Sequence, residues 1–129
     1  MRILVQLAVV AAICSISAGA KAEGDPTKGE NVFKKCKICH QIGDGAKNAV
    51  GPVLTGVIGR KAGTGEGFNY SPAMKKAGED GTVWSDENID KYLADPKGFI
   101  PQNKMAFVGL KQPDERADVI AYLKKFSSQ

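Results

Sequence analysis

Cys36-Lys37-Ile38-Cys39-His40 brings two of the chain's three cysteines next to its only histidine. The pattern C-x-x-C-H is that of c-type haem attachment. Cysteines three apart at a helix end can both reach the two vinyl carbons on one porphyrin edge, and the next residue, His40, is then held beneath the iron. Other uses of a C-x-x-C pair are a redox dithiol, a structural disulfide or half of a zinc site. A zinc site lacks its remaining cysteine or histidine partners, and a thioredoxin-like dithiol would want a βαβ pattern, which is absent. The position of the single histidine favours haem. A six-coordinate iron also needs a second axial ligand, and beyond Met1 the chain offers Met74 and Met105. Met105 lies in the non-helical apolar loop Ile100-Pro101-Gln102-Asn103-Lys104-Met105-Ala106-Phe107, where a thioether can face inward. Met74 follows Ser71-Pro72 in a short amphipathic turn, where methionine more often fills gaps. Residue chemistry alone favours Met105 and leaves Met74 as the second choice.

The elements that must position these groups are short helices. Asp25-Pro26 is a cap and first position, and Gly29, Val32, Phe33 and Cys36 follow at i, i+3, i+4 and i+7. Gly43 to Gly67 shows no sustained period and many glycines, the signature of a long binding loop. Ser71-Pro72 starts a helix expected to stop at Gly78. Ser85 caps another through Ala94, with Ile89, Tyr92 and Leu93 on one face, and Asp95-Pro96 opens a further turn. The last helix has Pro113-Asp114-Glu115 at its start and Lys124-Lys125 at its end, with Val119, Tyr122, Leu123 and Phe126 on its apolar face. No segment alternates as a strand. The expected fold is all-α, with about five short helices and long loops.

Composition narrows the function. The 129 residues carry 18 basic and 14 acidic side chains and are 43% apolar. Residues 1–22 pair Arg2 with an apolar run from Ile3 to Ile13 and end in small residues, which reads as a cleaved secretory signal, leaving one domain over 23–129. A lipoprotein reading of Cys14 is poor because the bulky Ile13 precedes it. Without Arg2 and Lys21 the charge falls from +4 to +2, a weak footprint for nucleic-acid binding. No stretch after the signal is apolar enough to span a bilayer. The domain is also thinly apolar and rich in glycine, so a bound cofactor is expected to fill much of its core.

Beyond these readings the chain resembles the class I cytochromes c, most of all the bacterial cytochrome c2 group and its mitochondrial relatives. The resemblance runs in register through Gly29 and Phe33, the Cys36 to His40 motif, Gly51-Pro52, Gly59-Arg60-Lys61, Gly67-Phe68-Asn69-Tyr70, Trp84, Tyr92-Leu93 to Pro96, Ile100-Pro101 to Lys104-Met105, and Ile120 to Leu123. It implies the small cytochrome c fold wrapped around one haem c, covalently held through Cys36 and Cys39, with His40 and Met105 as the axial metal ligands. His/Met ligation favours a raised reduction potential. The Pro52 carbonyl is implied as acceptor for the His40 Nδ1 proton, Tyr70 and Trp84 as donors to a haem propionate, Arg60 as compensation for propionate charge, and Tyr92 as the hydroxyl near the methionine sulfur. Asn103 stands where the family usually has a threonine, and Met74 where mitochondrial relatives have an asparagine.

The implied function is that of a soluble periplasmic one-electron carrier, not an enzyme. The protein is expected to be a monomer that docks transiently on larger membrane redox complexes through a lysine-bearing haem edge. The implied donor is a quinol-cytochrome c oxidoreductase, and the acceptor a terminal oxidase or a photosynthetic reaction centre. Export suits the motif, since the family attaches its haem outside the cytoplasm. Lysines 34, 35, 37, 47, 75, 76, 97, 104 and 111 include residues that flank the motif and the methionine loop, and acids at 79, 80, 86, 87 and 90 cluster elsewhere, so a small net charge can conceal a dipole that steers docking. The alternative, a haem peroxidase or gas-sensing haem protein, would need a vacant iron site. The absence of a second histidine to act as distal base counts against it.

Overall fold

A computed structural model describes residues 23–127. The expected secretory signal over 1–22 lies outside them. Five helices make up the regular structure of these residues: α1 (Pro26–Phe33), α2 (Pro72–Glu79), α3 (Asp86–Ala94), α4 (Pro96–Phe99) and α5 (Pro113–Lys124). Proline occupies the first turn of α1, α2, α4 and α5, where its fixed φ suits the helix and its missing N–H is not needed. Side chains complete the starts: Asp25 accepts from the N–H of Thr27 and Lys28, Ser71 from Met74, Ser85 from Asn88 and Asp95 from Gly98. Each such cap contributes about 1 kcal/mol.

The frame that holds the motif is the contact between α1 and α5. At Gly29 a Cβ would lie 1.9 Å from the Asp118 carbonyl oxygen, so only glycine permits this approach. The Asp118 carboxylate accepts from the Asp25 N–H at 2.7 Å, and the rings of Phe33 and Tyr122 meet with centroids 5.2 Å apart. Phe33 and Val119 are each 1% exposed, at the middle of an apolar cluster that takes in Ile89, Tyr92, Ile100, Leu110, Ile120 and Leu123. A second link joins α3 to α5: Arg116 donates through Nε to Asp90 and through Nη1 to the Leu110 carbonyl, both at 2.8 Å.

Residues 40–70 form the expected irregular loop, with one isolated antiparallel bridge between Lys61 and Val83. One boundary differs from expectation. Helix α2 runs through Gly78 to Glu79, because Gly78 is used for close packing: a Cβ there would lie 1.9 Å from the Ala62 carbonyl oxygen. The chain turns instead at Gly81, at φ 103°.

Candidate haem site

The motif is positioned by the end of α1. After Phe33 the chain continues in tight turns, with the Cys36 N–H donating to Phe33 O at 2.8 Å and the His40 N–H to Cys36 O at 2.9 Å. Cys36 and Cys39 are both half-buried and are not joined to each other in a disulfide. Burial is the main cause that pushes the Cys36 thiol up to about 11, with Cys39 adding to it and Lys35 opposing it, so the thiol is neutral at ordinary pH.

His40 is aimed by its neighbours. Its Nδ1 lies 2.8 Å from the Pro52 carbonyl oxygen, which can only accept, so Nδ1 carries the proton and Nε2 keeps its lone pair. Desolvation lowers the histidine pKa, partly offset by the Pro52 bond, and the neutral ring that results is the form that ligates metals. Gly51 makes room for it: a Cβ there would fall 2.4 Å from His40 Cε1.

A second group forms below. Arg60 donates through Nη2 to the Val53 carbonyl at 3.2 Å, next to Pro52, and through Nη1 to Thr55 O at 3.5 Å. The Tyr70 hydroxyl accepts from the Gly65 N–H at 2.9 Å, and a Cβ on Gly65 would meet that hydroxyl at 2.1 Å and Arg60 Nη2 at 3.3 Å. Gly65 therefore lies between Arg60 and the Tyr70 hydroxyl, and Arg60 and Gly65 line a surface-open cavity of about 460 Å³ together with Lys47, Asn48, Val53 and Glu66. Two backbone bonds tie Arg60 and its neighbour Gly59 to the next group: Trp84 N–H to Arg60 O at 2.9 Å and Gly59 N–H to Trp84 O at 2.8 Å.

The third group is aromatic and carries the methionine. Trp84 and Tyr92, both buried, have ring centroids 4.9 Å apart, and Phe99 lies beside both. The Tyr92 hydroxyl donates to Met105 Sδ at 4.0 Å, within reach of a sulfur acceptor. Burial pushes this phenol up to about 12, which keeps it a donor. Met74 sits on α2, half-buried against the apolar cluster.

The residues present fit a haem. Arg60 Nε is buried and has no hydrogen-bond partner among the described residues. A buried donor left unmatched costs about 1–3 kcal/mol, so an anionic group such as a propionate is the natural complement. A neutral imidazole directed by Pro52 and two cysteines not tied up in a disulfide supply the remaining chemistry. Sequence reasoning passed over three contributors: Gly65 under Tyr70, the half-buried Arg116–Asp90 pair, and Asn103, noted only as a departure. Asn103 is buried and bonds to the Met105 N–H, for which the one signal was a polar residue two places before the methionine in a proline-bounded loop.

Comparison with known proteins gives the family. Residues 26–127 match the family model described as Cytochrome c. The cytochrome c2 of Rhodomicrobium vannielii is 56% identical over 119 residues, covering 92% of this chain and 93% of that protein, and that of Agrobacterium tumefaciens is 54% identical over 101 residues, 78% and 91% of the two chains. Among solved structures, cytochrome c2 from Rhodospirillum centenum superposes with a TM-score of 0.78 at 51% identity, covering 81% of this chain and all of that one. The ferricytochrome c2 of Rhodopseudomonas palustris gives 0.72 at 44% identity, over 80% and 99%. The chain belongs to the cytochrome c family, as a class I c-type cytochrome of the cytochrome c2 group that carries electrons on one covalently attached haem c.

Proposed function

We propose that residues 23–129 form a soluble, monomeric, periplasmic one-electron carrier, exported by a cleaved signal over 1–22. In this reading Cys36 and Cys39 attach the haem, His40 and Met105 ligate its iron, Arg60, Tyr70 and Trp84 face its propionates, and Tyr92 tunes the methionine. The observation that carries the reading is the His40 to Pro52 bond, which presents a neutral Nε2 one residue after the second attachment cysteine.

The haem supplies the Fe(III)/Fe(II) couple; the chain's part is to hold that couple still and partly dry. His40 is fixed by Pro52 and Gly51, and Met105 receives the Tyr92 proton donor, so neither side chain needs to rearrange when the charge changes. The unmatched Arg60 Nε supplies positive charge for an acidic substituent.

Exchange with partners takes place at the exposed edge. Lys34, Lys37 and Lys47 lie exposed beside the motif and its following loop. Ile38, between the two cysteines, is 82% exposed, and Val108, three residues after Met105, is 83% exposed. Exposed apolar side chains with lysines nearby in the chain suit brief docking on acidic faces of larger redox complexes. The donor in this reading is a membrane quinol-cytochrome c oxidoreductase, and the acceptor a terminal oxidase or a photosynthetic reaction centre. Rapid mixing of the reduced protein with oxidase-containing or reaction-centre-containing membranes tests it. Association should slow as ionic strength rises and slow further in Lys37→Glu; a rate indifferent to both would count against the docking surface.

A further inference from the structure

Asn103 is 4% exposed, and its side-chain amide is bonded at both ends. Its Nδ2 donates to the carbonyls of Pro96 at 2.9 Å and Ile100 at 2.8 Å, the first residue and the cap of α4. Its Oδ1 accepts the Met105 N–H at 2.9 Å. The Lys97 ammonium, from α4 itself, donates to the Asn103 carbonyl and lies 3.4 Å from Oδ1. One short side chain thus joins both ends of a helix to the backbone of the methionine.

The residue before it explains why such fastening is needed. Gln102 has φ 65°, the one non-glycine in the left-handed region among the described residues. A side chain with a Cβ is strained there, and such a conformation persists only where neighbouring contacts over-determine it. The Asn103 bonds and the Lys97 clamp close on that turn from both sides. Thr at position 103 would offer one hydroxyl and could not make the same three amide bonds at once.

We infer that Asn103, fastened by Lys97, is a positioning residue for Met105: it fixes the methionine's backbone so that the thioether stays directed at the iron. The inference rests on Met105 as axial ligand. It makes α4 and the methionine loop one rigid unit, in which Lys97 acts as a fastener as well as a surface charge.

The test uses the ferric holoprotein with imidazole as a probe that replaces a methionine able to leave the iron. Loss of the buried bonds in Asn103→Ala should tighten imidazole binding by about tenfold or more, with Asn103→Thr intermediate and Lys97→Met raised severalfold. The near-infrared thioether-to-iron band should also be lost at lower pH in these variants than in the wild type. Val119→Ala, in the α1/α5 contact, should lose stability and leave imidazole affinity unchanged, which separates positioning from general weakening. Wild-type affinity in a folded Asn103→Ala would overturn the inference. If that variant fails to assemble, unchanged affinity in both Asn103→Thr and Lys97→Met would do the same. A wild-type protein without the band would instead overturn the ligand assignment, and the inference with it.

Discussion

The Nδ1 of His40 sits 2.8 Å from the carbonyl oxygen of Pro52, and Gly51 lies flat against the same ring. The bond selects the tautomer and the glycine sets the ring's place, so adjacent residues do both. Gly51→Ala puts a methyl 2.4 Å from Cε1, and backbone or ring must shift. Overpacking of this kind costs about 1–3 kcal/mol. The expected result is a lower urea midpoint and a lower yield of protein with haem attached; an unchanged midpoint would show that the ring has room to spare.

Tyr92→Phe removes the hydroxyl that donates to Met105 Sδ. A donor on the sulfur draws electron density from it and favours the reduced iron, so the reduction potential should fall. A hydrogen bond of about 1 kcal/mol or less corresponds to a decrease of about 40 mV or less. Equilibrium redox titration reads the shift, and a potential that rises would reverse the assigned role.

Arg116 and Asp90 form an ion pair at 2.8 Å, with side chains 12% and 18% exposed. Losing a charge-assisted hydrogen bond at a half-buried site costs about 1.5–3 kcal/mol. Arg116→Ala also frees the Leu110 carbonyl, so thermal unfolding should shift clearly downward while the optical spectrum of the haem stays native.

Burial raises the pKa of Tyr122, and the Glu30 charge adds to the effect. The fold therefore favours the neutral phenol. Its stabilisation is complete below the ordinary tyrosine pKa of about 10 and is lost as pH rises from there through the folded-state value, because the unfolded chain gives up the proton first. Urea midpoints should fall above that pH, and Tyr122→Phe should flatten the fall.

What could be read from the sequence follows from where the physics is local. Caps at Asp25, Ser71, Ser85 and Asp95 and first-turn prolines are short-range signals, and they place the five helices. The C-x-x-C-H spacing is equally local. The Arg116 to Asp90 pair joins residues 26 apart, and Asn103 gains its meaning from carbonyls at Pro96 and Ile100 that only the folded loop presents. Gly78 looked like a stop because a glycine's close approach to Ala62 cannot be told from a breaker until both are placed.

The central claim is that the chain holds one haem, ligated on both sides, and passes single electrons. An optical redox titration of the purified holoprotein, paired with a peroxide assay, tests it most directly. The account predicts one reversible one-electron step, low-spin iron in both oxidation states and negligible peroxide turnover. A high-spin ferric protein that turns over peroxide rapidly would contradict it.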